Sequence, residues 1–421
     1  MTDHHADGQR HADSIQPCRR VSTLRPWWTA FRGVIVVAML VVSGASPASA
    51  AGSPPPNAPA GSVTTFQMNN RHDGYSSDQL STPLAKLWSH AFSGEVGYPL
   101  IVKGQVFTIV MPTSNPLKGT SYLYALQATT GTVAWGPVSL GANSLNGITA
   151  DGANVYDIDS DGLLRAFAQS TGHLIWSTQL YQDFSAAPVV RSGIIYVAGA
   201  SVGGELFAVD AATGREGSTA ALDTGDGSTP AVTNTGVFLA YPCEYAYRFA
   251  PLTLATMWIH TTGCDGGGGR TPSVHNGLLY IRSGGNQTTN VLSLASGKAE
   301  AMSFPSFTAP AFGGTTGYFT PIAPRHTLNA TNLKSGKVLW SVSDDGAYST
   351  DPIAIGSDVA IGWTTGRVSL YDGATGRQLW SANAGAAING DDEVEGLNQY
   401  GISESNHVLF VPATNLLVAY G

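Results

Sequence analysis

Two stretches of this chain carry residue types that could do chemistry. Asp157-Ile158-Asp159-Ser160-Asp161-Gly162 opens like an oxygen-rich calcium loop, in which alternate carboxylates wrap a hard cation. The later ligand positions of such a loop hold Arg165 and Ala168, so a hairpin turn at Ser160-Asp161-Gly162 is the stronger reading. Gly266-Gly267-Gly268-Gly269-Arg270 has the look of a phosphate cradle. It lacks the Lys-Ser/Thr ending and the following helix that give such loops their anion site, and it reads as a loop. No G-x-S-x-G, H-E-x-x-H or C-x-x-C occurs, and the ten His are scattered without metal-ligand spacing.

The elements that must position any site repeat along the chain. LYALQATTGTVAW ends at Trp135, LRAFAQSTGHLIW at Trp176, LNATNLKSGKVLW at Trp340 and VSLYDGATGRQLW at Trp380. Each is an alternating strand, a Gly-centred turn and a second strand opening on Trp. Weaker copies place Ser218, Trp258 and Ala301 in register, and PLAKLW near the N-terminus ends at Trp88. Successive intervals are 47, 41, 42, 40, 43, 39 and 40 residues. A fixed period of that length, built from short strands, means a β-propeller. Gly stands four residues before the marker position at 131, 172, 214, 297, 336 and 376, which suits a positive φ. Trp is large enough to fill the gap between neighbouring blades, so Trp88, Trp135, Trp176, Trp258, Trp340 and Trp380 are expected to pack blade on blade.

Between cassettes runs a short apolar strand opened by Pro, as at Tyr98-Pro99-Leu100, Ala187-Pro188-Val189, Thr229-Pro230-Ala231 and Asp351-Pro352-Ile353. Pro costs no ladder hydrogen bond there. The blade is therefore four antiparallel strands: inner, second, third and outer. The C-terminal segment GISESNHVLFVPATNLLVAYG supplies three strands and stops where a Trp strand should follow. The orphan strand at Trp88 supplies the fourth, giving an all-β, eight-bladed ring with no open seam.

The A-x-x-T-G-x-x-x-W cassette resembles the pyrroloquinoline-quinone (PQQ) repeat from about Thr64 to Gly421. Two branches share that repeat, quinoprotein dehydrogenases and non-enzymatic propellers such as an outer-membrane assembly lipoprotein of Gram-negative bacteria. The dehydrogenase branch implies adjacent cysteines over the quinone, a Ca²⁺ held by Glu, Asn and Asp, and a catalytic Asp. The chain has no Cys-Cys pair and no C-x-x-C-H haem site, and no position matches the family's catalytic residues. Neither PQQ nor Ca²⁺ is expected.

In the blade register, connections from outer strand to next inner strand emerge on one face. They carry Asp183, Asp226, Asp265, Asp344, Asp345 and Asp351. The longest carries Asp391, Asp392, Glu393 and Glu395, and long loops on one face of a rigid scaffold are where such proteins bind. Solvated acidic loops that keep an exported protein soluble are the plainer alternative. Cys243 and Cys264 fall at adjacent ends of one antiparallel hairpin, where a disulfide would contribute about 3 kcal/mol; the alternative is two free buried thiols.

The N-terminus reads as an export signal. Arg19, Arg20, Arg25 and Arg32 lead into GVIVVAMLVVSGA and then SPASA, a small-residue cleavage site at Ala50. The apolar core is too short for a membrane span, although retention as an anchor is the competing reading. No Cys follows the cleavage site, unlike the lipoprotein. Residues 51–63 read as a flexible Pro/Gly/Ala linker and 64–421 as the propeller. Residues 1–50 hold five of the 21 Lys and Arg and three of the 29 Asp and Glu, so the remainder carries about −10. That acidic balance, with no basic stripe, argues against nucleic acid and anionic membrane as partners. The expectation is an exported, monomeric, periplasmic or extracellular binding scaffold for a protein or other ligand, possessing no catalysis of its own. A small PQQ-dependent dehydrogenase and a glycan- or cell-wall-binding module are the alternatives.

Overall fold

In the computed structural model the described residues are 61–421, apart from 113–118, 143–144, 185, 200–202, 223–226, 242–244, 263–269, 283–287, 322–325, 345–346 and 391–398. Every regular element among them is a β-strand. They form eight sheets, each with a core of four antiparallel strands. Blade 2 shows the unit: inner strand Asn146–Ala150, second Asn154–Asp159, third Leu163–Ala168 and outer Leu174–Gln179. Blades 1 and 3 to 7 repeat this order from inner strands Leu100–Val102, Val189–Arg191, Ala231–Val232, Ser273–His275, Ala311–Gly313 and Ile353–Ile355.

Burial follows distance from the axis. The second strand of blade 3, Ile194–Ala198, is almost wholly covered, whereas its outer strand Glu216–Ala221 alternates exposed and half-buried residues. Second strands are covered by neighbouring blades on both faces, so they read as nearly continuous apolar runs, as in Ile194–Ala198 and Val237–Tyr241. Outer strands line the rim and keep polar residues.

Blade 8 closes the ring as the termini imply. Ser403–Ser405, Val408–Ala413 and Leu416–Tyr420 come from the C-terminus, and Lys86–Ala91 pairs antiparallel with the last of them, His90 opposite Leu417.

The Trp positions share one device. In blade 2, Ala166 faces Trp176 while the next residue, Phe167, faces Leu174, so Ile175 is an extra residue in the outer strand. Blades 4, 6 and 7 repeat the slip before Trp258, Trp340 and Trp380. A bulge of this kind re-aims the side chain that follows it. Each indole N–H then donates to a carbonyl of the next blade: Trp88 to Ala128 at 2.8 Å, Trp135 to Gln169 at 2.6 Å and Trp258 to Leu294 at 3.2 Å. Trp176 and Trp340 do the same to Ala211 and Gly373, and Trp380 donates to Leu84 beside the N-terminal strand.

The linker reading of 51–63 changes at its end. Ser405 Oγ donates to Gly61 O at 2.7 Å, and Val63 bridges Ile101 of blade 1. Small, uncharged residues there suit close backbone approach to the propeller as well as they suit a linker.

Candidate functional site

Residues 61–79 pass around the axis from blade to blade, and sequence reasoning gave them no role. The segment meets the inner strands in turn. Amides of Ala150, Val232, Val274, Phe312, Ala354 and Gly356 donate to carbonyls of Thr64, Asn70, Arg71, Asp73, Gly74 and Ser76. Tyr75 and Ser76 pair in parallel with blade 7, and His407 Nδ1 of blade 8 lies 3.0 Å from Gln79 O. Phe66, Gln67, Met68 and His72 turn inward and are buried. Phe66 meets Tyr98 edge-on at 5.4 Å, and the Tyr98 hydroxyl accepts from Met68 N at 3.1 Å. His72 sits between Phe66 O at 2.7 Å and Pro230 O at 3.0 Å. Burial lowers its pKa, against the opposing pull of the two carbonyls and Asp73.

A second crossing lies on the side of the inter-blade connections. Gln399, which leads into blade 8, donates through Nε2 to Thr229 Oγ1 of blade 4 at 2.9 Å. Blades 4 and 8 stand opposite each other in a ring of eight, so this side chain spans the axis. Gln399 O also accepts from Tyr98 N. The two flanks of the 384–402 connection share one anchor: Asn389 Nδ2 and the Tyr400 hydroxyl donate to the two oxygens of Glu95, at 2.7 and 3.2 Å.

The carboxylates expected on this face divide. Asp183 is exposed. Asp344 is 3% exposed and pairs with Arg367 at 2.9 Å. Asp351 is buried and accepts from Ala309 N of the neighbouring blade; burial pushes its pKa up to about 6, against the attraction of Arg282. These two are internal blade-to-blade ties, not rim charges, because a carboxylate this deeply buried needs a partner. Asp226, Asp265, Asp345 and the candidate loop residues Asp391, Asp392, Glu393 and Glu395 lie outside the described residues, as do Cys243 and Cys264.

The calcium-like run is a turn between the second and third strands of blade 2. Asp159 Oδ1 accepts from Leu163 N at 2.8 Å, and Gly162 has φ 87°. Both preceding carboxylates are committed to Arg165: Asp157 Oδ2 to its Nε at 2.8 Å and Asp159 Oδ2 to its guanidinium at 3.1 Å. Burial pushes Asp157 up to about 7, while Arg165 pulls it down.

The family model described as outer membrane protein assembly factor BamB matches residues 119–247, 160–299 and 243–411. The chain belongs to this family of PQQ-type repeat propellers. No curated protein matches it in sequence. Among solved structures it is similar to BamB from Moraxella catarrhalis, at 16% identity over 80% of this chain and 99% of that one, with a TM-score of 0.61. It is also similar to the quinohemoprotein alcohol dehydrogenase from Comamonas testosteroni, at 14% identity over 86% and 80%, with a TM-score of 0.65. The computationally designed Ika8 protein matches at 12% identity over 80% and 99%, with a TM-score of 0.63. At such identities the likeness shows the fold, and one fold here serves an assembly factor, an enzyme and a design.

A quinone implied by the dehydrogenase relative finds no fit among the described residues of this PQQ-repeat chain. On the side of the inter-blade connections, room on the axis is taken by Phe66, Gln67, Met68 and His72, and by the Gln399–Thr229 crossing. Asp351, the buried axial carboxylate, is bonded to its own fold. No three His, Cys, Asp or Glu side chains among the described residues converge as cation ligands.

Proposed function

We propose that this family member is an exported, non-catalytic binding scaffold that holds a protein partner through the face of the inter-blade connections. The observation supporting it is that, on this face, the chain itself crosses the middle of the ring, Phe66 and Met68 against Tyr98, His72 against Pro230 and Gln399 against Thr229, which leaves the surrounding loops to make contacts. Export is supported by the basic, apolar and small-residue succession ending at Ala50. A protein partner is supported by the relative named as an assembly factor. The Asp391, Asp392, Glu393 and Glu395 connection is the proposed contact, with both flanks anchored on Glu95. Its charge would steer a basic partner and make association weaken with salt.

The test uses residues 51–421 immobilised against the exported protein fraction. A partner captured by this chain should be lost by the variant carrying Asp391→Asn, Asp392→Asn, Glu393→Gln and Glu395→Gln, with melting unchanged. Equal capture by both would remove the loop from the site. Dye-linked alcohol oxidation on adding PQQ and Ca²⁺ would overturn the non-catalytic reading.

A further inference from the structure

The face opposite the inter-blade connections carries an open cavity of about 800 Å³ where the axial segment meets blades 2, 3 and 4. Its polar lining includes Arg71, Arg191, Asn69, Asn70, Asn234 and Thr235. A second cavity of about 450 Å³ lies on the far side of Arg71 and includes Tyr75, His275 and Asn276. Arg71 is thus the wall between two adjoining depressions.

The guanidiniums differ in what they already hold. Arg71 is bound to Asp73 through Nε at 2.9 Å and through its terminal nitrogen at 2.8 Å, with its side chain about half exposed. Arg191 donates to Asn234 Oδ1 at 2.6 Å. Its Nε is buried without a hydrogen-bond partner, and among the described residues no carboxylate pairs with it. Burial and then the charge of Arg71 push its pKa down, a penalty that a bound anion would relieve. Asp151, also in the lining, is committed elsewhere: Oδ1 accepts from Ala153 N and Asn154 N, and Oδ2 from the Tyr156 hydroxyl.

Two sequence facts point outside the chain for that anion. The residues leading into the cavity at Gly61 carry no acid; the first Asp or Glu after residue 50 is Asp73. Arg191 is also not dictated by the repeat. The corresponding position before the first hairpin turn is Val102, Asp151, Thr233, His275, Gly313, Ile355 and Ser405 in the other blades. A cation placed at one blade of eight, beside a cavity, is a feature added to the scaffold.

We propose that the two depressions flanking Arg71 bind an anionic carbohydrate of the sugar-acid class, its carboxylate on Arg191. Asn234 Oδ1 accepts from Arg191, which leaves its Nδ2 to donate to a hydroxyl. Asn69 and Asn70, each holding one donor and one acceptor bond inside the fold, keep a second amide hydrogen and a second lone pair. Tyr75, 37% exposed, gives the second depression an aromatic surface for a sugar face. A volume of this order holds a small ligand, and the adjoining depression gives a chain of sugar units somewhere to continue. The ligand is either a free sugar acid or one unit of a polyuronate.

The experiment is titration calorimetry of residues 51–421 with galacturonate, tetragalacturonate and neutral maltotetraose at fixed ionic strength. Binding of an uronate without maltotetraose binding is expected, and a tetramer preference would assign the polymer while equal affinity would assign the free acid. Arg191→Gln should weaken uronate binding about tenfold or more, as loss of a charged hydrogen-bond partner does. Lys337→Gln, an exposed cation on blade 6, should leave it unchanged. The proposal is overturned if no uronate binds, if maltotetraose binds equally, or if Arg191→Gln has no effect while melting stays at the parent value. Partner capture by the opposite face is measured separately, so failure here leaves that reading standing.

Discussion

A methyl group on Gly172 would stand 2.5 Å from Cε3 of Trp135, the indole that the preceding blade lays against it. The same approach recurs between Gly131 and Trp88, Gly214 and Trp176, Gly297 and Trp258, and Gly376 and Trp340. Where the preceding blade carries Ala301 in place of Trp, Gly336 has nothing within 4 Å of a built methyl. Where it carries Ser218, the turn residue is Leu254 at φ 51°, and it is buried. Glycine in these turns therefore answers to the indole as much as to the backbone.

Two single substitutions separate those causes. Both Gly172 and Gly336 have positive φ, 70° and 69°, so Ala at either meets a left-handed penalty of about 1–2 kcal/mol. Gly336→Ala should cost about that much in denaturant unfolding. Gly172→Ala should cost more, about 2–5 kcal/mol in all, because overpacking against Trp135 adds a further ~1–3 kcal/mol to the left-handed penalty. Equal losses would mean that the indole yields freely.

The axial segment should be a stabilising part of the core, not a removable strap. Phe66 is fully buried against Tyr98, and Phe66→Ala should destabilise the domain by about 3–5 kcal/mol. Hydrogen exchange should accelerate first at Ala150, Val232 and Val274, whose amides bond this segment. A variant with parent stability and protection would show that the segment docks after the propeller is complete.

Ring closure predicts cooperative loss at the C-terminus. Deleting residues 401–421 removes three strands of blade 8 and leaves Lys86–Ala91 without Leu416–Tyr420. The truncated chain should lose its β circular dichroism and its cooperative melt. A propeller that melts normally without them would contradict the shared blade.

The blade count, the strand order and the closure at Trp88 were legible because each rests on side chains repeated at fixed spacing. Residues 61–79 were not, because they offer roughly one carbonyl to each blade and show no period of their own. Asp344 and Asp351 looked like rim charges because their partners, Arg367 and the Ala309 amide, come from distant chain positions. Arg191 was passed over for the opposite reason: it sits in a repeat position whose occupants vary from blade to blade, and only the cavity beside it gives it a role.

Cysteine pairing is testable from sequence position. Cys243 and Cys264 bracket the hairpin of Tyr245–Phe249 and Thr256–His260 in the sequence. The exported protein should show no free thiol when denatured, and reduction should lower its melting temperature by several degrees. Two titratable thiols would refute the pairing.

Glu404 links the axial segment to the pH dependence of stability. It is 1% exposed and accepts from His407 N at 2.9 Å. Burial pushes its pKa up to about 7, with Ser76 pulling it down and the Asp78 charge raising it further. The folded protein therefore holds this proton more tightly than the unfolded chain. Its contribution is fully present below the ordinary Glu pKa of 4.5 and is lost as pH rises to about 7, because only the unfolded chain ionises in that window. Asp351, raised to about 6, acts in the same direction. The domain should melt higher at pH 5 than at pH 8. Glu404→Gln, which keeps the shape without the charge, should raise the melting temperature at pH 8 and narrow the gap. A variant whose melting falls equally at both pH values would show that Glu404 is ionised in the fold.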